Sequence, residues 1–492
     1  MGSTKASLNN TTMPSFRDPA GRLFVIDGRI IRVVNSSGVQ DLKAFLDSTT
    51  SRKFIEQGRL VRSEILDAAT AWSLFKKSGI DDAFYRTDGS VVVEHEQVPF
   101  QNFPYEWSPE MLHSAGLLTL DLAESLLDEG LGLKDATPYN VLFRGHEPVF
   151  VDLLSFERRN PGDPTWLPQA QFERTFLLPL LVNKYFGMQM DLLLSSRRDG
   201  LEPEDVYRLC GSLRRLAPPF LSLVSIPTWL AKRNEDNQDI YKTRTLENVE
   251  KARFIVRSLF KRLRRILEGL EPKKDKSSTW SDYITSNNNY SETHFEAKTA
   301  FIEDAMAEFK PKRVLDIGCN TGHYTAIAAR SSARVVAIDS DEVVIGETWR
   351  RACAQRLDIL PLVVNLTRPS PAIGWRNVEC PAFLDRARGR FDAVLMLAVI
   401  HHMLVNERVP LAEILDLANE LTSDLLIIEF IAPDDSMFRR LTRGRDHLFT
   451  ELTTEFFEQS CRQSFKLVRS QHLENTSRWL YLLRKKRTSG ND

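Results

Sequence analysis

The sequence predicts an α/β protein in at least two parts, the second of them a doubly wound, mostly parallel sheet over residues 280–492. Three observations carry that prediction. The 492 residues exceed the size at which a single hydrophobic core stops growing. Beyond about residue 280, apolar strand-like runs alternate with stretches of helical spacing, the pattern of parallel strands joined by crossover helices. The first of those runs, VLDIGCNTGHYTAIAA from Val314, breaks into glycine and small polar residues before helical spacing resumes.

The elements follow in order. Residues 1–20 are rich in Ser, Thr and Asn and lack an apolar core, so they read as a flexible tail and not as a signal peptide. Residues 21–185 form the first domain. It contains SVVVEHEQVPFQNFPYEW, a helical pattern over 108–129, and then LGLKDATPYNVLFRGHEPVFVDLLSFE, with two short apolar strands facing each other as a hairpin.

Residues 186–279 are a helical connector and linker. Within it KARFIVRSLFKRLRRIL, from Lys251 to Leu267, places apolar residues at three- and four-residue spacing with Arg and Lys between them, as in a long amphipathic helix. Its basic face fits either a phosphate-bearing partner or a solvated surface lying over the neighbouring domain. The breaker-containing EPKKDKSST then marks a boundary near 270–280.

After the linker come RVLDIG, a helix over Tyr324–Arg330, VVAID, a helix near 342–356, ILPLVVNL, FDAVLML, a helix near 410–421 and DLLIIEF. FKLVRSQ and RWLYLLRKK, separated by a polar turn, read as an antiparallel pair at the sheet edge.

Composition narrows the partners. The apolar fraction is 42%, the charged fraction 27% and the net charge -1, so nothing favours a general attraction to nucleic acid or anionic lipid. The longest uninterrupted apolar run, Ala393 to Ile400, is too short to span a bilayer. Five cysteines without CxxC spacing argue against a disulfide framework or a structural zinc site and fit reduced thiols in the cytoplasm.

In a doubly wound sheet the ligand sits beyond the carboxyl ends of the strands, beside the first one. Asp316, Gly318 and Gly322 fall on that turn, where glycine lets a ligand approach the main chain and helix-start amides face it. Asp339 ends the second strand, where a carboxylate accepts hydrogen bonds from both hydroxyls of a ribose. A nucleoside-type cofactor is expected, and the GxGxxG spacing of a dinucleotide site is absent.

The run VLDIGCNTGHYT, with VVAID, FDAVLMLAVIHHM and LLIIEF in that order, resembles the class I S-adenosylmethionine-dependent methyltransferases, whose sheet is Rossmann-like. The resemblance covers roughly 280–485. It implies that Asp316, Gly318 and Gly322 surround the methionine part of S-adenosylmethionine and that Asp339 binds its ribose. Asn320 stands where many members have a glycine, and asparagine also tolerates a left-handed backbone. Asn365 stands where an acidic residue often approaches the adenine, with hydrogen-bonding groups suited to a base edge.

The fourth strand delivers His401 and His402 to the same rim. Methyl transfer is an in-line displacement that needs alignment and shielding, and a hydroxyl acceptor also needs a proton removed. Either histidine is a candidate base or a pocket wall. Glu429, at the end of the fifth strand, is a second candidate with an equally plausible structural role. No Cys/His/Asp spacing here suggests a metal site.

In the first half Asp135, Asn140 and Asp152 are spaced as in a kinase catalytic loop and its metal-binding segment. Residues 90–185 therefore resemble the C-terminal lobe of the protein-kinase-like and aminoglycoside-phosphotransferase-like fold, an α+β domain. That resemblance implies Asp135 orienting an acceptor hydroxyl, with Asn140 and Asp152 holding magnesium on ATP. Leu133 replaces the histidine of the HxD motif, LLSF follows Asp152 where a glycine is expected, and no glycine-rich loop or strand lysine precedes residue 90; Arg32 is the nearest basic substitute. An inactive scaffold and an active phosphotransferase both stay open.

The combination is similar to bacterial nodulation-type methyltransferases, which implies a small-molecule or glycan acceptor. The expected function is methylation, on oxygen. The alternatives are a bifunctional kinase-methyltransferase modifying a glycan end and a non-catalytic cofactor-binding protein.

Overall fold

The computed structural model describes residues 18–78, 80, 89–233, 245–273 and 292–487. The expected tail up to residue 17 and the expected linker beyond residue 273 lie outside the described residues.

The first half opens with a four-stranded antiparallel sheet. Strands β1 (Gly21–Ile26) and β2 (Arg29–Val34) meet across the two-residue turn Asp27–Gly28, both residues at positive φ (50° and 78°), the backbone that an Asp-Gly hairpin supplies. Strands β3 (Ser63–Ile65) and β4 (Val91–His95) complete the order β1-β2-β4-β3. The sequence reading recognised nothing of this sheet before residue 90, although the Asp-Gly pair flanked by apolar residues was its visible signal.

A helical lobe follows. The helix Pro109–Leu127, close to the expected 108–129, starts where the Ser108 hydroxyl accepts the Met111 N–H and Pro109 begins the first turn. Short strands β5 (Leu131–Leu133), β6 (Val141–Arg144), β7 (Glu147–Phe150) and β8 (Phe156–Arg158) lie beside it, β6 and β7 forming the expected hairpin and β5 pairing with β8.

The amphipathic helix spans Val249–Gly269 and buries Ala252, Val256, Phe260, Leu263 and Leu267 on one stripe. Part of its basic face pairs within the chain: Arg264 with Asp121 and Glu124, and Arg257 with Asp128, all on or at the end of the helix Pro109–Leu127, while Lys251, Lys261 and Arg265 are exposed.

The second half is the α/β sheet. Strands β9 (Arg313–Ile317), β10 (Arg334–Asp339), β11 (Ile359–Val363), β12 (Phe391–Met396) and β13 (Thr422–Ile431) run parallel in the order β11-β10-β9-β12-β13. β14 (Phe465–Leu473) and β15 (Arg478–Lys485) add an antiparallel pair at one edge, with β15 against β13. The strand order reverses between β9 and β12, and that reversal opens the ligand crevice.

The two halves share one core. The Phe100 ring lies 6.1 Å from Phe383 and 5.9 Å from Phe391, and the Glu106–Arg386 ion pair crosses the same boundary fully buried. Among the described residues no helix is long and apolar enough to cross a membrane.

Candidate active site

At the carboxyl ends of β9, β10 and β12 lies a cavity of about 680 Å³ lined by Asp316, Gly318, Asn320, Asp339, Asn365 and His402, among others. The turn after β9 is held in a left-handed backbone at three alternate positions, with φ 70° at Gly318, 49° at Asn320 and 74° at Gly322. A Cβ on Gly322 would sit 2.7 Å from Thr348 Cγ2, so glycine there is required by space as well as by φ. Asn320 supports its own strained position: its Oδ1 accepts the Thr321 N–H at 2.6 Å, and its carbonyl accepts the Thr348 hydroxyl at 2.9 Å.

Two carboxylates face this cavity, Asp316 buried and Asp339 partly buried. Asp316 accepts the Thr325 hydroxyl at 2.5 Å, and burial pushes its pKa up to about 6. Asp339 accepts the backbone N–H groups of Asn320 and Asp341, each at 3.1 Å, and burial likewise raises it to about 6. Buried carboxylates with elevated pKa are under-compensated, and a ligand offering hydroxyls or a cation relieves that cost. The ribose diol and the ammonium of S-adenosylmethionine have that chemistry, so the residues fit this cofactor. Asn365 commits its Oδ1 to the Thr367 N–H (3.0 Å) and hydroxyl (2.6 Å), so its amide offers donors rather than the acceptor.

The histidine pair divides its roles. The rings of His401 and His402 stand 4.1 Å apart, yet His402 lines the cavity while His401 is packed behind it, only 1% exposed and with neither ring nitrogen hydrogen-bonded. Burial drives His401 well below the usual imidazole range, with His402, Arg478 and Lys298 adding to the effect. Burial alone lowers His402 to about 4.

Glu429 is fully buried and does not border the cavity. Its Oε2 meets Lys298 Nζ at 2.5 Å and its Oε1 lies 3.7 Å from Arg478 Nη1, so the carboxylate is the anchor of a buried ion network. Lys298 also lines the cavity, together with Phe295, His323 and Tyr324. Sequence reasoning missed Phe295 and Lys298 because the helix that carries them, Glu292–Phe309, shows little apolar periodicity.

In the first half, Asn140 and Asp152 are brought together through Ser155, whose hydroxyl receives the Asn140 amide at 2.9 Å and donates to Asp152 at 2.8 Å. Arg32 on β2 reaches across to Asp152 at 2.8 Å. Asp135 is close enough that, after burial, the Asp152 charge is the next cause raising its pKa. Asp152 is thus met by a guanidinium and a hydroxyl of its own chain. Among the described residues no group of three or more His, Cys, Asp or Glu is placed to hold a metal ion.

Comparison with known proteins agrees with the geometry of the second half. Residues 290–478 match the family described as a methyltransferase domain. Nodulation protein NoeA of Rhizobium meliloti (strain 1021) is 29% identical over 470 residues, covering 95% of this chain and 94% of that protein. Ubiquinone biosynthesis O-methyltransferase of Caulobacter vibrioides is 33% identical over 99 residues, 20% of this chain and 34% of that one. Among solved structures, N-methyltransferase NodS from Bradyrhizobium japonicum WM9 aligns with 40% of this chain and 98% of its own at 15% identity and a TM-score of 0.30. The bifunctional kinase-methyltransferase WbdD aligns with 41% of each chain at 17% identity and a TM-score of 0.28.

Glycine turn, paired carboxylates and family match together define the second half as a class I methyltransferase domain. The protein is an S-adenosylmethionine-dependent methyltransferase, similar along nearly its whole length to a nodulation protein.

Proposed function

We propose that the protein methylates a hydroxyl oxygen of a small molecule or glycan, with His402 as the group that receives the acceptor proton. The observation that carries this reading is the placement of His402 on the same cavity as Asp316 and Asp339, with its imidazole kept neutral by burial. When bound, S-adenosylmethionine supplies an electrophilic methyl group on a sulfonium.

The chain's own residues bind, orient and shield. Asp339 holds the ribose, Asp316 and the Gly318–Gly322 turn hold the methionine end, and Asn365 donates to the base. His402 takes the hydroxyl proton as the acceptor oxygen forms its new bond to carbon. A pKa near 4 leaves the imidazole unprotonated at neutral pH, ready to accept although a weak base. The aromatic side chains of Phe295 and Tyr324 offer flat apolar walls, and Glu407 and Asn406 offer polar groups, a combination suited to a sugar ring with its hydroxyls. The full-length similarity to a nodulation protein supports the same direction.

The first half is read as a kinase-like scaffold that performs no phosphoryl transfer. In support, Arg32 occupies Asp152, and Ser155 links Asn140 to it, where magnesium ligation requires both side chains to face the metal. Mg-ATP carries no step in this reading, and the enzyme works as a cytoplasmic methyltransferase.

The test is His402→Gln. Turnover should fall about a hundred- to ten-thousand-fold, with cofactor affinity nearly intact. Full turnover in that variant would reduce the histidine to a pocket wall.

A further inference from the structure

The helix Glu342–Gln355 follows the strand that ends at Asp339, and it touches both parts of the cofactor crevice. At its start, Glu342 lies three residues beyond Asp339. At its middle, Thr348 donates to the Asn320 carbonyl and packs against the position where Gly322 allows no side chain. The placement of this helix therefore sets the spacing between the ribose carboxylate and the glycine turn.

The other side of the same helix is held by the first half of the chain. Glu342 is buried, and its two carboxylate oxygens accept the Asn183 amide at 2.6 Å and the Met190 backbone N–H at 3.2 Å. Arg350 is paired with Glu110 at the start of the helix Pro109–Leu127. Gly346 lies between these two contacts, and a methyl group there would collide with the Glu110 carboxylate. Trp349 Nε1 donates to the His146 carbonyl at 3.0 Å. The helix is thus clamped along its length by residues more than 150 positions away in the chain.

We propose that the first half is a positioning domain for the cofactor site, acting through Asn183 on Glu342 and Glu110 on Arg350 to hold the helix Glu342–Gln355 against the glycine turn. None of these four residues lines the cavity, so none touches the ligand. They act through Asp339 and Asn320. The proposal rests on the reading of that cavity as the cofactor site.

The experiment is calorimetric titration of S-adenosylhomocysteine into the full chain and into Asn183→Ala, Arg350→Ala and Arg386→Ala, with ligand-free melting temperature measured in parallel. Arg386 pairs with Glu106 at the same boundary between the halves but on the segment Phe383–Ala387, away from the glycine turn, so its variant reports boundary damage without loss of the clamp.

The expected result is a five- to twenty-fold weaker affinity in the Asn183 and Arg350 variants, with the Arg386 variant near wild type even where its melting temperature falls. If Asn183→Ala does not fold, the partly exposed Arg350 carries the test. Unchanged affinity in both clamp variants overturns the proposal. An equal loss in all three also overturns it, since affinity would then follow general stability. A wild-type chain that binds no S-adenosylhomocysteine overturns the cofactor reading itself, a result distinct from either.

Discussion

The Lys298 ammonium and the Glu429 carboxylate meet at 2.5 Å inside the protein, both shut off from solvent, with Arg478 3.7 Å away on the other carboxylate oxygen. Asp435 also pairs with Arg478, at 2.8 Å, so two cations and two carboxylates form one network in which Glu429 is a structural counter-ion. Removing it takes the carboxylate partner from the buried Lys298, while Arg478 keeps its pair with Asp435.

Glu429→Ala should therefore lower the free energy of unfolding by about 3–5 kcal/mol, read from urea denaturation. A variant as stable as wild type that has lost only turnover would return Glu429 to the chemistry.

Asp339→Ala should weaken S-adenosylhomocysteine binding by roughly 1–3 kcal/mol, the cost of leaving polar groups unpaired in a buried site. The variant also frees the Asn320 and Asp341 N–H groups that the carboxylate accepts. Calorimetry checks it, and unchanged affinity would remove the ribose role from this residue.

Binding and turnover are both lost as pH falls, but at different pH. Asp316 and Asp339, raised to about 6 by burial, are charged only above that pH, so cofactor affinity should decline as pH falls from about 7 towards 5. His402, lowered to about 4 by burial, can accept a proton down to that value, so turnover at saturating cofactor should hold until pH approaches it. Stability runs the other way: a raised folded-state carboxyl contributes stability that is fully present below about pH 4 and is lost as pH rises through about 6. Ligand-free Asp316→Asn should accordingly melt no lower than wild type at pH 8, a point checked by thermal denaturation across pH.

What could be read in the sequence and what could not follows from the range of the interactions. The turn Gly318–Gly322 was legible because its constraint is local: positive φ and close packing select glycine and asparagine at fixed spacing. The strands of the second half were legible because burial on both faces makes continuous apolar runs. The Arg32–Asp152 pair spans 120 positions and the Lys298–Glu429 pair 131, and no periodicity encodes either partner. Which of His401 and His402 faces the cavity was equally hidden, because adjacent residues at a strand-to-helix turn differ only in where the backbone aims them. The left-handed Ala398 (φ 51°), just before them, helps set that aim.

The scaffold reading of the first half predicts that Mg-ATP at millimolar concentration leaves the melting temperature of the full chain unchanged. Arg32→Ala, which uncovers Asp152, should destabilise the protein with or without nucleotide. A clear upward shift of the wild-type protein with Mg-ATP would mean that the Arg32 contact yields to magnesium.

The central claim is transfer of a methyl group to a hydroxyl oxygen at the cavity shared by Asp339 and His402. Its most direct measurement is incubation of the full chain with methyl-labelled S-adenosylmethionine and fractionated glycans and small metabolites, followed by mass spectrometry that locates the label. The account predicts an alkali-stable methyl ether on a sugar or other alcohol oxygen, reduced with Asp339→Ala at limiting cofactor and strongly reduced with His402→Gln. A label found on nitrogen or carbon, or equal labelling by His402→Gln and wild type, would contradict it.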